Sequence, residues 1–396
     1  MSNFKVSLPE KRSSWNWLQK YISSVSRYPI EFDTVIATSG NIPTAKLPAS
    51  RLTTTSYTLP SVLDDANLLY YPFLVQFLLR ADIKKYSIVH HLFFSSRGMN
   101  SFDIGSLLKL YDNVPFVIGP AEIHHHYSLD DFRLYGHHGN KNSGVITSYR
   151  LSMLSGKIAS PFLERVMRKV LDRCDRLVVV NERTKELYSK VTSANKIEVI
   201  PTGIDTRRFS AINRTMGRPS ILMLGNLIER KGYKTAICAM KRLKRDFPDL
   251  TMNIVGSGPL ESELRMLIVE TGLEDSVRIQ SKVPDTGLAE LFAGATLFCH
   301  ASYSDSFSQT ILEAMSAGLP IVCTDIIGSS GMVENGSNGV IVGPGDVGSL
   351  AEAIGKILSD SELAMKMGAE SRRRVKPYDW MEVSRLYFRV YESLSQ

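Results

Sequence analysis

Asp305 and Glu313 lie eight positions apart in the stretch "SYSDSFSQTILEAMSAGLP" (302–320), and Glu313 sits between Leu312 and Ala314 in an otherwise apolar helical run. Ser306 or Ser308 can cap that run, Gly318 can supply the left-handed residue after it, and Pro320 prevents its continuation. The pattern predicts a short helix. Its start is small, polar and rich in free backbone N–H groups, an arrangement that binds phosphate. One turn further on, Glu313 can reach a pair of sugar hydroxyls, and a nucleotide presents both groups. The residues alone leave a second reading open, in which Glu313 faces solvent or caps a neighbouring segment.

The elements that must position this helix alternate regularly. "PSILMLGNL" (219–227) reads as a buried strand, "KGYKTAICAMKRLKRDFP" as an amphipathic helix ended by Pro248, and "LTMNIVGSG" (250–258) as the next strand. Helices through "PLESELRMLIVETG" and "TGLAELFAGA" alternate with strands "VRIQSKV", "TLFCHAS" and "PIVCTDI". Such alternation predicts a doubly wound parallel sheet, in which ligands sit beyond the carboxyl ends of the strands. Gly225, the "GSGP" turn at 256–259 and the 302–310 loop all fall at such ends. Three loops on one rim make one site.

The first half is less regular. "FDTVIATSG" (32–40), "YSIVHHLFF" (86–94), "VPFVIGP" (114–120) and "DRLVVVNE" (175–182) read as strands of a further α/β unit. The segment 124–150 has no apolar period, is long for a connection and reads as a functional or mobile loop. "LLYYPFLVQFLL" (68–79) is too short to span a bilayer and reads as a core helix. "KIEVIPTGIDTRRF" (196–209) has the composition of a linker between two domains, and "PYDWMEVSRLYFRVYESL" is a terminal helix with one apolar stripe.

Length and composition fit a soluble protein of two ordinary domains. The polar N-terminus carries no signal-like apolar segment. Four scattered cysteines without a C-x-x-C pair point to a reducing, cytoplasmic setting, neither disulfides nor a zinc site. The net charge of +7 is uneven: residues 1–202 hold 25 Lys and Arg against 17 Asp and Glu, whereas 203–370 hold 16 against 20. A basic first half suits a negatively charged surface or acceptor, such as an anionic membrane or a lipid phosphate. Nucleic acid is disfavoured, since basic residues do not interleave with aromatics and no reading module is present.

"VIPTGIDTRRF", "LGNLIERKG" (224–232), "IVGSGP" (254–259), the 302–322 stretch, "ENGSNGVIV" (334–342) and the terminal "YDW" occur in this order. Together they resemble the retaining glycosyltransferases of family 4, most strongly from about residue 165 onward. The resemblance implies the GT-B architecture, two Rossmann-like domains facing across a cleft. It places an acceptor-binding domain at 1–202 plus 371–396 and a nucleotide-sugar domain at 203–370. The C-terminal helix is expected to return to the N-terminal domain, with a hinge near Pro201 to Asp205.

The family signature of two glutamates separated by seven residues reads Asp305 and Glu313 here. The resemblance assigns Glu313 to the ribose of a nucleotide sugar and Asp305 to the transferred sugar. The amides of Phe307, Ser308, Gln309 and Thr310, beside Ser306, are expected to hold the diphosphate. Lys231, with Arg230 beside it, would stabilise negative charge on the leaving diphosphate. The family commonly has Arg where this chain has Asn226. Gly225, Gly256 and Gly258 permit close backbone approach to the ligand and could equally serve tight turns alone. The base is expected near Val283, within 281–284.

On the acceptor side, His91, Glu122 and His124 are candidates, the last two in "GPAEIHHH". No metal site or cofactor is expected, because there is no Asp-x-Asp and the basic residues can replace a cation. The expected donor is a UDP-, GDP- or ADP-linked sugar, the acceptor a glycan or lipid-linked glycan, and the setting the cytoplasm or the face of a membrane. An internal-return mechanism is implied, in which the departing phosphate oxygen takes the acceptor's proton. A nucleotide-sugar epimerase, a phosphorylase on the same scaffold and a non-catalytic binding protein remain alternatives.

Overall fold

The computed structural model describes residues 3–5, 32–38, 52–58, 88–91, 114–121, 165, 168–210, 217–281 and 283–394. The expected helix at 68–79, the loop at 124–150, Glu122 and His124 lie outside the described residues. The chain divides into two compact units, with crossings at Gly203–Ile204 and Asp379–Trp380.

In the first unit, Asn3–Lys5 (β1), Phe32–Thr38 (β2) and Leu52–Thr58 (β3) form one parallel sheet. Val89–His91 (β4), Phe116–Ala121 (β5), Arg176–Val179 (β6) and Ile197–Val199 (β7) form a second, also parallel, in that order. Strands β5 and β6 are apolar and almost wholly buried, as parallel strands covered on both faces must be. Glu182–Tyr188 (α1) follows β6, capped by Asn181, whose side chain accepts from the Thr184 amide at 2.8 Å.

The second unit holds six parallel strands: Ser220–Leu224 (β8), Thr251–Val255 (β9), Val277–Gln280 (β10), Leu297–His300 (β11), Ile321–Thr324 (β12) and Gly339–Val342 (β13). They lie in the order β10-β9-β8-β11-β12-β13. Counted within the unit this is 3-2-1-4-5-6, the Rossmann order, which reverses between β8 and β11. The crevice beyond the carboxyl ends of those two neighbours is therefore where a ligand is expected.

Side chains alternate across this sheet. Ile221, Met223, Met252, Ile254, Leu297 and Cys299 pack on one face against the helices Tyr233–Leu243 (α3), Glu261–Thr271 (α4) and Val347–Ser359 (α7). Leu222, Leu224, Phe298, Ile321 and Cys323 pack on the other with Phe209 of Arg207–Ser210 (α2), Phe292 of Asp285–Gly294 (α5) and the apolar side of Gln309–Ser316 (α6). Ser361–Arg374 (α8) continues from α7. Asp346 and Asp360 cap these two helices, accepting from the amides of Ser349 and Leu363 at 2.9 Å each. α7 and α8 add to the helices expected from periodicity, and β3, a threonine-rich run, adds to the expected strands.

The nine residues beyond the expected crossing at 371 pack with the second unit. The Ser371 hydroxyl donates to Leu319 O at 2.7 Å, and Arg372 donates to Ala317 O at 3.1 Å, which ties the end of α8 to the loop after α6. Trp380–Leu394 (α9) belongs to the first unit, so the C-terminal helix returns there. Its Tyr391 hydroxyl lies 2.6 Å from Nδ1 of the buried His90 on β4, and His90 Nε2 lies 2.8 Å from Gly119 O. A carbonyl only accepts, so Nε2 carries the proton and Nδ1 accepts from the tyrosine. No described helix is long and apolar enough to cross a membrane.

Candidate active site

After β8 the chain makes one short 3-10 turn, Glu229–Lys231, and then Gly232 at φ 67° opens α3. A Cβ at Gly232 would stand 1.9 Å from Ala301 O, so only glycine lets this turn press against the loop after β11. The Tyr303 amide donates to Arg230 O at 2.8 Å and closes the same contact. The ERKG turn and the 301–305 loop are thus one fixed unit at the point where the strand order reverses.

Across that junction Lys231 Nζ lies 2.5 Å from Asp305 Oδ2, and Arg230 Nη1 lies 3.3 Å from Oδ1 and 2.9 Å from Ser304 O. Asp305 and Lys231 are largely buried, with side chains 13% and 14% exposed, whereas Arg230 is 42% exposed. Gly328 packs directly on Asp305, where a Cβ would approach the Asp305 Cβ to 2.8 Å. Burial would raise the Asp305 carboxyl, but the His300 ring facing it at 3.6 Å and the Lys231 ammonium outweigh it and hold the group well below the ordinary carboxylate range. Asp305 is therefore a fixed anion. Lys231, expected to face a diphosphate, and Asp305, expected to face a sugar, hold one another.

His300, at the carboxyl end of β11, is a residue that sequence reasoning missed. Its Nε2 lies 2.9 Å from Ser308 Oγ, 3.3 Å from Ser302 Oγ and 3.6 Å from Asp305 Oδ2. Burial pushes its pKa down, against the pull of Asp305, so the ring is neutral at pH 7. A buried histidine closing an apolar strand was the available signal.

Helix α6 ends as its sequence predicts. Gly318 has φ 77°, its amide donates to Met315 O at 3.0 Å, and the Leu319 amide donates to Ala314 O at 3.0 Å, which is the Schellman arrangement. Its start differs from expectation. Ser308 occupies the N-cap position, but no side chain caps the helix there, since the hydroxyl is taken by His300 and by Thr310 Oγ1 at 3.2 Å. The Ser308 amide, expected to hold phosphate, instead donates to Gly328 O at 3.1 Å. Among the described residues the amides of Phe307, Gln309 and Thr310 have no partner. The Phe307 ring lies 6.4 Å from that of Tyr378.

Glu313 stands on the partly exposed side of α6, with Oε1 3.8 Å from Arg208 Nη1 of α2. Arg208 is the second residue that sequence reasoning left without a role. The remaining expected residues divide by geometry. A Cβ at Gly256 or Gly258 would meet Gly225 O at 1.8 Å or Leu227 O at 2.4 Å, so these two glycines let one loop approach another. Gly225, at φ 144°, lies near Lys231, and its carbonyl accepts from Tyr233 OH at 2.9 Å. Asn226 is exposed and Val283 half-buried. His91 is on β4, in the first unit. Among the described residues no three His, Cys, Asp or Glu side chains converge as metal ligands.

Residues 205–374 match the model of glycosyl transferases group 1, and residues 33–208 match that of glycosyltransferase family 4. The chain belongs to this glycosyltransferase family and has its GT-B fold. It is 34% identical over 236 residues to an exopolysaccharide phosphotransferase of Streptomyces coelicolor, a match covering 58% of this chain and 24% of that protein. It is 28% identical over 260 residues to a phosphatidyl-myo-inositol mannosyltransferase of Mycobacterium leprae, covering 64% of this chain and 66% of that protein. The matches thus span less than two thirds of either relative's own length. Among solved structures, Anabaena Alr3699/HepE in complex with UDP superposes with a TM-score of 0.72 at 17% identity, covering 99% of both chains.

Proposed function

We propose that this chain is a retaining, metal-independent glycosyltransferase that moves a hexose-type sugar from a nucleoside diphosphate to a glycan or lipid-linked acceptor. The convergence of Lys231 and Arg230 on Asp305, in front of the uncapped start of α6, carries this reading. Two fixed cations and a helix dipole can take up charge that grows on a leaving diphosphate, the role a metal ion plays elsewhere. Glu313, one turn into α6 and aligned by Arg208, is placed to accept from ribose hydroxyls. Asp305 suits hydroxyls of the sugar, and the bound donor then shares Lys231 with it. The departing phosphate oxygen takes the acceptor's proton, which gives retention without a separate base.

The relative named for transfer to phosphatidyl-myo-inositol and the neighbour solved with UDP support a lipid-linked acceptor and a nucleotide donor. The basic balance of residues 1–202 supports attachment at the cytoplasmic face of an anionic membrane. A thermal-shift screen of UDP-, GDP- and ADP-sugars tests the donor, since ligand at a hundred times its dissociation constant stabilises by ~2.7 kcal/mol. Product analysis with the responding donor then separates the reactions. Transfer with retained anomeric configuration, undiminished by EDTA, is expected. Isomerisation of the donor without acceptor, a requirement for free phosphate, or binding without turnover would each replace the proposal. Flotation with anionic and neutral liposomes tests the membrane, and indifference to lipid charge removes it.

A further inference from the structure

We infer that His300 is a positioning residue that keeps the start of α6 uncapped, by engaging the Ser308 hydroxyl that would otherwise occupy the first-turn amides. The inference rests on the donor site proposed above and deepens it. A serine at N-cap ordinarily accepts from the amide two or three residues on. Here Ser308 has the extended backbone of a cap, φ −97° and ψ 92°, yet makes no cap bond.

The hydrogen-bond pattern around the ring explains why. Asp305 can only accept, and its Oδ2 faces His300 Nε2 at 3.6 Å, so the proton belongs on Nε2. That N–H then points between the carboxylate and Ser308 Oγ, 2.9 Å away, and Oγ accepts it. The Ser308 proton goes on to Thr310 Oγ1 at 3.2 Å. The hydroxyl's proton and one of its two lone pairs are thereby used on side chains, which fixes its rotation away from a cap bond. The opposite ring nitrogen, Nδ1, is buried without a partner among the described residues. An unmet buried acceptor costs stability, and this tautomer accepts that cost in return for a fixed orientation of Ser308 and Asp305. One imidazole thus touches both the anion that faces Lys231 and the residue that decides whether the α6 amides are open. His300 itself is buried, only 3% exposed, and acts through Ser308 and Asp305.

The test uses the full chain with UDP and GDP as probes, alongside hydrogen exchange at the α6 amides. His300→Ala should release Ser308 to cap, so that the Thr310 amide gains protection, and should weaken the binding of whichever diphosphate the wild type binds by about fivefold to tenfold. His300→Gln, which restores an N–H near the Nε2 position, should recover most of that loss. Introduced into Ser308→Ala, the His300→Ala change should cost little further affinity, because no hydroxyl remains to compete. Equal losses in both backgrounds, or unaltered Thr310 protection, overturn the inference, and the Gln variant and near-ultraviolet circular dichroism identify a loss caused by misfolding. If the wild type binds neither diphosphate while Thr310 protection rises in His300→Ala, the uncapping stands and the donor reading falls.

Discussion

At the scale of single residues, the site is an arrangement of charges that satisfy one another before any ligand arrives. Lys231, Arg230 and His300 surround one carboxylate, and removing Lys231 takes away both its nearest cation and the charge facing the donor. Lys231→Ala is expected to lower kcat/KM by about 10²- to 10³-fold, the usual cost of losing one stabilising group, as measured by donor turnover. The Asp305 carboxyl is held below its ordinary value of 3.8, so the unfolded chain binds its proton more readily than the folded one. Its stabilising contribution is therefore complete above about pH 4 and is lost as acid carries the pH down toward the folded value. Urea unfolding midpoints should fall below about pH 4 in the wild type and fall less steeply in Asp305→Asn.

Which of these residues the sequence revealed follows from how they communicate. Asp305 and Glu313 share a loop and its helix, so the carboxylate within the apolar run shows Glu313, and the spacing of the family signature adds Asp305. Lys231 was legible through its "ERKG" motif, whose role the resemblance implies. His300 and Arg208 act through tertiary contacts, one back from a strand end to the N-cap and one from a separate short helix, and no local period marks either. Ser308 was misjudged for a related reason. Propensity assigns its hydroxyl to the backbone, and a buried imidazole eight residues earlier, at the end of β11, competes for it.

Elements set the distances that residues use. The ERKG turn is pinned by Gly232, which combines a left-handed backbone with an approach that no side chain permits. Gly232→Ala should destabilise by at least about 1–3 kcal/mol from backbone strain, with the clash against Ala301 in addition. Because Lys231 precedes it, turnover should fall further than stability predicts, and comparing kcat with the melting temperature checks this. The elements of residues 219–324 were readable because buried parallel strands appear as short apolar runs punctuated by glycine. β3, "LTTTSYT", escaped because threonine is polar by composition although β-branched by shape. α7 and α8 carry aspartate caps that mark their starts, a signal that lies in single residues rather than in apolar period.

At the scale of the whole molecule, the sequence indicated two α/β units, while the edges of those units depended on contacts that only folding supplies. The last turn of α8 stays with the second unit through Ser371 and Arg372, whereas α9 is held to the first through Tyr391 and His90. Tyr391→Phe should remove the hydroxyl that donates to His90 Nδ1 and lower stability by about 1–3 kcal/mol, as read by denaturant unfolding, with little change in donor affinity.

Ile204 and Asp379 form a parallel bridge, the Ile204 amide donates to Tyr378 O at 2.9 Å, and Thr206 Oγ1 donates to Asp379 at 2.6 Å. Residues 204–379 are thus a cassette whose entrance and exit are stitched together. Grafting such a cassette into another host needs no spacer, since domains whose termini adjoin tolerate insertion. Genes for chains of this kind can exchange the half that carries Lys231 and Glu313 as one piece and leave the rest to diverge.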